Sequence, residues 1–363
     1  MKKKYVTVVG TVGLPANYGG FETLVENLAR YHDEKALPDE ITVYCSSKSY
    51  SEKKDVYLSA KLKYIPFNAN GAQSIPYDMW SLLSAVWHRS DVILLLGVSG
   101  ATLLPLIRLL SSARIVTNID GIEWRRQKWK GLAKWFLRLS EKVAVRFSHE
   151  VISDNAAIAE YVKQAYGVEP HVIAYGGDHA VQVEATAVEE FELPKKYAFS
   201  VCRIEPENNV HMVVEAFAQQ DAMPLVMVGN WKGSDYGLAL QHKYEANKHI
   251  HLLDPIYDIG KLYTLRSHAE LYVHGHSAGG TNPSLVEAMH FAKPIFAFDC
   301  NFNRATTEDK AIFFSDTKGL TDLIACIDDV QKKEVADKMK EIACRRYTWD
   351  IVAKQYFELI NQQ

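Results

Sequence analysis

Residues 271–289 read LYVHGHSAGGTNPSLVEAM, and this stretch decides the fold. Its start, 271–273, is a short apolar run of the kind that forms a buried strand. The glycine pair 279–280 follows, and then Thr281 or Asn282 stands at the N-cap position of a helix that has Pro283 in its first turn. A strand that leads through a glycine-rich loop into a helix is typical of a parallel α/β sheet.

This loop and the start of its helix have the composition of a site for a phosphorylated ligand. Open N–H groups and the positive end of the helix dipole would face a phosphate. Glu287, one turn into the helix, could accept both hydroxyls of a ribose, and its apolar neighbours argue against a solvated position. The predicted phosphate contacts are Gly280, Thr281, Asn282 and Ser284.

Short apolar runs alternate with amphipathic segments along the whole chain. The runs lie at 5–9, 41–44, 92–96, 115–117, 151–153, 197–201, 225–228, 249–252, 271–273 and 294–298. Such alternation predicts parallel sheets with right-handed crossovers. Because it is interrupted near 175–195, we predict an α/β protein of two facing Rossmann-like, doubly wound domains. Ligands would bind in the cleft where the carboxyl ends of both sheets meet.

The composition is that of a globular protein. The 363 residues are 48% hydrophobic and 23% charged, which suits two domains of ordinary size. The chain has no apolar run of about 18 residues, the length that a spanning helix needs, and no signal-peptide core follows MKKKYVTVVG. The five cysteines are scattered without a CxxC pair, as in reduced proteins. We therefore expect a soluble cytoplasmic protein.

A second glycine-rich loop, GTVGLPANYGGFE at 10–22, follows the first strand. It also predicts an anion site, in front of a helix that begins near Gly20. Its spacing is neither GxGxxG nor that of a P-loop. A tight turn that needs positive φ would account for only one or two of the four glycines. We therefore expect Gly19 and Gly20 to approach a bound phosphate.

Further candidates follow strands of the second half. Arg203 offers forked donors to a pyrophosphate, and the alternative is an exposed ion pair with Glu205 or Glu207. Asn230 and Tyr257 are predicted to hold a base and its ribose. A core position for Tyr257 is the alternative there.

These motifs resemble the retaining glycosyltransferase family 4, of the GT-B fold. The family's usual pattern is GRL-x-x-x-K-N and, later, E-G-F-G-L-P-x-x-E-A-M, and Arg203 and Glu287 match its arginine and second glutamate. The stretches GTVGLPANYGGFETLVE and NIDGIEWRR (118–126) look like a bacterial subgroup of rhamnosyltransferases that build cell-envelope polysaccharides. The HSxGGTNPSLxEAM form at 276–289 is similar to the same subgroup. The resemblance covers nearly the whole chain.

The resemblance implies a reaction and its substrates. L-Rhamnose would pass from dTDP-L-rhamnose to a lipid-linked saccharide, with retention of configuration. An acceptor-side domain would span 1–178 and a donor domain 179–349, with a last helix, 350–363, returning to the first domain. The nucleotide-sugar is a substrate, so no cofactor is expected, nor is a nucleic-acid partner. The chain has no D-x-D motif, so no divalent metal is expected.

The resemblance also assigns residues. The implied catalytic residues are Asp120, Arg203 and Glu287. Asn208 joins the donor-binding set named above, and the implied acceptor-binding residues are Tyr18, Glu123, Trp124 and Arg126.

Three positions depart from the broad family. Gly279 stands where the family has the first glutamate of its pair, Asn208 where it has a lysine, and Asp120 where many relatives carry a histidine. The sugar therefore stays open, and a UDP-sugar transferase (glucose, galactose or N-acetylhexosamine) and a GT-B-type nucleotide-sugar epimerase are alternatives. A NAD-binding oxidoreductase is disfavoured because the dinucleotide fingerprint is absent. A non-catalytic sugar-nucleotide binder is the last alternative.

The segment 125–146, RRQKWKGLAKWFLRLSEKVAVR, has eight basic residues and one acid. Its apolar residues fall at helical spacing: Trp129, Leu132, Trp135, Phe136, Leu139 and Val143. A basic amphipathic helix with tryptophans suits an anionic bilayer, here the inner face of the plasma membrane. The alternative is an apolar face packed on the sheet. Residues 1–180 carry 22 Lys and Arg against 18 Asp and Glu, whereas residues 181–363 carry 19 Lys and Arg against 26 Asp and Glu. This balance of charge favours the first half of the chain as the part that meets an anionic surface.

Overall fold

The computed structural model describes residues 3–17, 19–125 and 129–362. The chain divides into two compact units, Met1–Ala174 with Trp349–Gln363, and Tyr175–Thr348. The turn at 175–178, which the sequence analysis assigned to the end of the first domain, therefore lies in the second unit.

An eight-stranded sheet forms the centre of the first unit. Its strands are β1 Tyr5–Val9, β2 Glu40–Ser46, β3 Val56–Tyr57, β4 Ala60–Ile65, β5 Val92–Leu96, β6 Arg114–Asn118, β7 Glu150–Ser153 and β8 His171–Val172. They lie in the order β3-β4-β2-β1-β5-β6-β7-β8. Neighbouring strands are parallel except β3 and β4. The sheet is doubly wound because the chain moves from β1 first to one edge and then to the other.

In the described part of this unit, six α-helices cover the sheet. They are α1 Gly20–Glu34, α2 Ser74–Trp87, α3 Leu104–Leu110, α4 Gly131–Phe147, α5 Ala156–Tyr166 and the C-terminal helix, Trp349–Asn361. The C-terminal helix packs on α1, where the rings of Tyr31 and Phe357 stack at 5.9 Å and Lys35 pairs with Asp350 at 3.1 Å.

The second unit contains a six-stranded, fully parallel sheet. Its strands are β9 Ala198–Val201, β10 Leu225–Val228, β11 Ile250–Leu253, β12 Leu271–His274, β13 Ile295–Phe298 and β14 Ile312–Phe314. They lie in the order β11-β10-β9-β12-β13-β14. The helices are α6 Val210–Ala218, α7 Asp235–Tyr244, α8 Ile259–His268, α9 Pro283–Met289, α10 Asn301–Thr307, α11 Thr317–Cys326 and α12 Asp329–Arg346.

Large side chains fill the core of the second unit. Phe199, Phe217, Phe296 and Trp231 are fully buried, and the Trp231 indole donates to the Leu253 carbonyl at 3.0 Å. This packing fixes the sheet whose carboxyl edge carries the candidate site.

Each of the ten predicted apolar runs overlaps a strand. The sequence analysis missed β3, β4, β8 and β14. Among residues 3–17, 19–125 and 129–362, no helix is both long enough and apolar enough to span a bilayer.

Candidate active site

The loop between β12 and α9 starts its helix as the sequence predicts. The Asn282 side chain is the N-cap and accepts from the Ser284 amide at 3.1 Å and from the Ser284 hydroxyl at 2.8 Å. Pro283 is the first helical residue, where its missing N–H costs no hydrogen bond. The Thr281 side chain is buried. Because β12 is a central strand, this loop lies at the middle of the sheet's carboxyl edge.

Two side chains hold the Glu287 carboxylate. Arg266, in the last turn of α8, donates to its Oε2, and His179 Nε2 lies 3.3 Å from its Oε1. The Glu287 and Arg266 side chains are only 15% and 7% exposed. Burial alone would raise the pKa of Glu287, but the Arg266 guanidinium and the His179 ring outweigh it and lower that pKa. The carboxylate is therefore ionised and held in one orientation.

The turn before His179 packs directly on α9. A Cβ on Gly177 would lie 2.6 Å from the Val286 carbonyl carbon, so only glycine fits. The Gly177 amide also donates to the Tyr347 carbonyl at 2.7 Å. This turn was interpreted from the sequence as a domain break. In the structure it carries His179, on a short 3₁₀ turn, to Glu287.

The 203–209 loop and the loop between β12 and α9 lie side by side. The Ser277 amide and hydroxyl donate to the Glu207 carbonyl at 2.9 and 2.7 Å, and the Asn209 side chain donates to the Gly275 carbonyl at 2.9 Å. The loop at 203–209 is therefore fixed against the loop that precedes α9.

Within the 203–209 loop, Arg203 and Asn208 have different surroundings. The Arg203 side chain is 48% exposed, and its Nε lies 3.9 Å from Glu205, so the ion pair that the sequence analysis raised as an alternative is present but long. Asn208 is buried, and its side-chain amide donates to the Arg203 carbonyl at 2.6 Å. Asn208 was expected to contact the donor where the family has a lysine. The structure gives its amide nitrogen a partner inside the loop, and the donor contact stays a prediction.

Asn230 and Tyr257 follow β10 and β11 at the same sheet edge. Asn230 is exposed, and Tyr257 is 72% exposed. A core position for Tyr257, the alternative raised from the sequence, is therefore wrong. An ion pair of 2.9 Å between Lys232 and Asp254 joins the two loops.

His274 is the last residue of β12, and its imidazole ring is neutral. It is 1% exposed, stacks on His276 at 4.5 Å, and burial lowers its pKa to about 3. Within the described residues, neither of its ring nitrogens has a hydrogen-bond partner. His274 therefore carries no charge at neutral pH.

The glycine-rich loop of the first unit is held by its own helix. Glu22 accepts from the Val12 amide at 2.7 Å, and Glu26 accepts from the Ala16 amide at 2.7 Å. Those two amides already donate to carboxylates, so they are not open to a bound anion. The predicted anion site is therefore limited to the residues of the loop nearer α1.

The glycines of this loop have backbone reasons of their own. Gly10, Gly13 and Gly19 have φ of 93, 133 and 135°, and Gly20 is the first residue of α1. A turn that requires positive φ thus explains three of the four glycines, more than the sequence analysis allowed.

The acceptor-side candidates lie after β6. Asp120 has φ of 60°, and its amide donates to the Asn118 side chain at 2.8 Å. The Asn118 amide in turn donates to the Tyr356 hydroxyl of the C-terminal helix at 2.6 Å. Glu123 accepts from the Trp129 indole at 2.9 Å.

The Trp124 ring is surrounded by cations. Arg125, Lys134 and Arg138 lie 5.3, 5.7 and 5.4 Å from its centroid. The other two acceptor-side candidates, Tyr18 and Arg126, lie outside the described residues.

Two family models match successive parts of the chain. Residues 182–346 match the family "Glycosyl transferases group 1". The chain is a glycosyltransferase. Residues 3–178 match a "Domain of unknown function (DUF1972)". No curated protein matches the chain.

Solved structures similar to this glycosyltransferase have the GT-B fold. Sucrose-phosphate synthase from Thermosynechococcus elongatus has a TM-score of 0.80 at 14% identity, over 99% of this chain and 98% of that one. HepE from Anabaena, in complex with UDP and glucose, has 0.72 at 16%, over 98% and 99%. α,α-Trehalose 6-phosphate synthase from Burkholderia multivorans has 0.72 at 10%, over 99% and 96%. At these identities the likeness establishes the fold, and the glycosyltransferase is a GT-B protein.

Sequence reasoning missed Arg266 and His179. Both reach Glu287 from other elements, and neither stands at a motif spacing from it. The one available signal was the Gly-Gly-Asp-His turn at 176–179, whose paired glycines indicate close backbone packing.

Proposed function

We propose that the glycosyltransferase transfers L-rhamnose from dTDP-L-rhamnose to a lipid-linked saccharide in cell-envelope polysaccharide synthesis, with retention of configuration. The second unit binds the donor and the first binds the acceptor. The observation that carries the donor part of the proposal is the ionised Glu287 carboxylate, which Arg266 and His179 hold one turn into α9 at the carboxyl edge of the sheet, whereas the choice of L-rhamnose and of a lipid-linked acceptor rests on the resemblance of the sequence motifs. Parallel α/β sheets bind their ligands at this edge. A carboxylate oriented in this way has lone pairs left for the hydroxyls of a ribose.

The departing diphosphate gains negative charge as the glycosidic bond breaks. Arg203 is the donor proposed to stabilise it, since its guanidinium is half exposed and its ion pair to Glu205 is long. The backbone and Ser284 at the start of α9 add hydrogen bonds. Because α9 has only seven residues, we assign the larger share to Arg203. Asn230 and Tyr257, exposed at the same edge, are proposed to hold the nucleoside.

On the acceptor side, Asp120 is proposed to orient the reacting sugar. Its backbone is fixed through Asn118 and Tyr356, and preorganisation of this kind favours a transition state. Glu123 and Trp124, beside it, are proposed to contact the acceptor saccharide.

The reaction is proposed to need no divalent metal. Within the described residues, no three or more His, Cys, Asp or Glu side chains are grouped to hold a metal ion. Because the chain has no D-x-D motif, we expect activity to be unchanged in excess EDTA. A loss of activity that Mg²⁺ or Mn²⁺ restores would contradict this part of the proposal.

A ligand-binding screen tests the donor. A ligand that binds the folded protein raises its melting temperature by mass action. We expect dTDP and dTDP-L-rhamnose to stabilise the wild type more than UDP, GDP or their sugars, and to stabilise Glu287→Gln less than the wild type. The second candidate is a UDP-sugar, which the complex of HepE with UDP and glucose favours. Selective stabilisation by UDP-sugars would replace rhamnose and keep the transferase.

Turnover separates transfer from epimerisation. A transferase releases nucleoside diphosphate only in proportion to acceptor, whereas an epimerase converts its donor without acceptor. We expect acceptor-dependent release. An acceptor-independent change of the sugar would favour the epimerase, and stabilisation without any turnover would favour a non-catalytic binder.

The lipid-linked acceptor places the enzyme at the cytoplasmic face of the plasma membrane. The basic helix within 125–146 is proposed to meet that surface. Its exposed lysines and arginines support this assignment.

A further inference from the structure

Helices α2, α3 and α4 lie on one face of the first unit's sheet. Each precedes a strand that lies further toward the β8 edge, so right-handed crossovers place all three on the same side. The helix α3 contacts both α2 and α4, and the Arg108 side chain of α3 donates to the Phe147 carbonyl at the end of α4 at 3.3 Å. We call the outer surface of these helices the three-helix face.

The three-helix face exposes large apolar side chains. Those that are more than half exposed are Trp80 and Trp87 on α2, Leu109 and Leu110 on α3, and Leu132 and Trp135 on α4. Trp87, Leu109 and Leu132 are 84%, 81% and 85% exposed. Single exposed apolar residues are ordinary, but clusters on neighbouring elements mark an interaction surface.

The exposed charges of this face have one sign. The charged side chains that α2, α3 and α4 expose are Arg108, Lys134, Arg138, Lys142 and Arg146. The two acids of these helices, Asp78 and Glu141, are buried at 4% and 2% exposure. Glu141 is occupied internally, since it accepts from the Tyr161 and Tyr166 hydroxyls at 2.6 Å each.

The packing of α4 excludes the alternative left open by its sequence. The helix buries Ser140, Glu141, Ala144 and Val145, not the apolar stripe that contains Leu132 and Trp135. That stripe therefore faces away from the sheet and is available to a partner.

We propose that the three-helix face docks on the surface of an anionic lipid bilayer. Tryptophan and leucine insert at the boundary between headgroups and acyl chains, and lysine and arginine meet anionic headgroups. A protein partner is the weaker fit, because interface cores are depleted of charge, whereas here cations are interspersed with the apolar residues on every turn of α4. The proposal deepens the proposed function and rests on it only where it uses a lipid-linked acceptor as the reason for docking.

The test is co-flotation of the full chain with vesicles of phosphatidylcholine alone or with phosphatidylglycerol added. We expect the wild type to bind the anionic vesicles and to be released by salt. The double variant Trp87→Ser/Leu109→Ser changes only α2 and α3 and should bind about tenfold more weakly. The variant Lys142→Glu/Arg146→Glu should lose binding to anionic vesicles, since each cation contributes roughly a fivefold factor.

Matched controls use exposed residues of the second unit, Leu238→Ser/Val330→Ser and Lys333→Glu/Lys338→Glu. These should bind like the wild type, and all variants should melt at the wild-type temperature. If Trp87→Ser/Leu109→Ser bound vesicles as well as the wild type, α2 and α3 would take no part in docking. The proposal of a three-helix face would then be wrong, and α4 would be the one helix of the three left as a membrane contact. Wild-type failure to bind any vesicle would overturn docking altogether, and self-association that the same variants abolish would make the face a protein interface.

The change in melting temperature that nucleotide-sugars cause is measured separately from vesicle binding, so the two proposals can fail independently. A protein that responds to nucleotide-sugars but binds no vesicle refutes docking only. A protein that binds vesicles but responds to no nucleotide-sugar refutes the proposed function only.

Discussion

Replacing Arg266 with methionine should leave the buried Glu287 carboxylate without its guanidinium partner. The two side chains are 7% and 15% exposed, so this pair belongs to the buried class. Removal of one partner from a buried pair costs roughly 3–5 kcal/mol, because the remaining charge loses its main compensation. The His179 ring, 3.3 Å from the carboxylate, is left as a weaker partner. For a unit of this size, each kcal/mol lowers the melting midpoint by roughly 2–4 °C, which predicts a fall of roughly 6–20 °C.

The assay is thermal and urea unfolding of the full chain at neutral pH, with the second-unit transition followed. The matched control is Arg345→Met, whose ion pair with Glu308 is 51% and 34% exposed and whose loss should therefore lower the free energy of unfolding far less, because solvent screens an exposed pair. Glu287→Gln in the Arg266→Met background removes the stranded charge. The double variant should therefore recover about 2 kcal/mol relative to the sum of the single changes.

The pH dependence of the same variants has a defined sign. The pKa of Glu287 is lowered from its ordinary 4.5, so the ion pair's contribution is fully present above that pH and is lost as the pH falls below it. Removal of Arg266 raises the pKa of Glu287, so the deficit of Arg266→Met should shrink in acid. The reasoning is refuted if Arg266→Met costs no more than Arg345→Met. It is also refuted if the two single changes are additive.

Three further predictions concern the two units separately. Glu287→Gln should weaken donor binding in calorimetry about tenfold, since hydrogen bonds to a charged group contribute about 1.5–3 kcal/mol; an unchanged Kd would remove Glu287 from the donor site. Tyr356→Phe deprives the Asn118 amide of its acceptor and should lower the free energy of unfolding by about 1–3 kcal/mol, and a change within error in urea unfolding would mean that another group accepts from Asn118. Gly13→Ala should destabilise the first unit by about 1–3 kcal/mol more than Gly71→Ala. Both glycines have positive φ, but only a Cβ at Gly13 would meet other atoms within 4 Å. Equal melting temperatures of the two variants would contradict this prediction.

The parts of the fold that could be predicted are those where burial is continuous. All five residues of β5 are buried, and a parallel strand covered on both faces is an uninterrupted apolar run in the sequence. In β4, Lys61 and Lys63 alternate with other residues, and the strand lies next to the edge strand of the sheet. No uninterrupted apolar run therefore marks β4 in the sequence. The strand β8 has two exposed residues, which carry no periodic signal at all.

The candidate site could be predicted only as far as local spacing extends. The positions of Asn282, Pro283 and Glu287 follow from helix capping and helix periodicity within one short segment. Arg266 and His179 reach Glu287 through the packing of α8 and of the 175–178 turn on α9. Contacts between separate elements depend on the tertiary arrangement, and a single sequence does not contain that information in its spacing.

Gly279, which stands where the resembled family has the first glutamate of its pair, has a backbone conformation that disfavours a glutamate. Gly279 has φ of 115°, a region that residues with a Cβ rarely adopt. No atom lies within 4 Å of the position that its Cβ would take, so sterically there is room for a side chain, and the backbone dihedral is the obstacle. A glutamate at this position would require a different path for the loop between β12 and α9. Because that loop also supplies the Asn282 cap and the hydrogen bonds of Ser277 to the 203–209 loop, a changed path would disturb both. We therefore expect the donor sugar to be recognised by groups other than a carboxylate at 279.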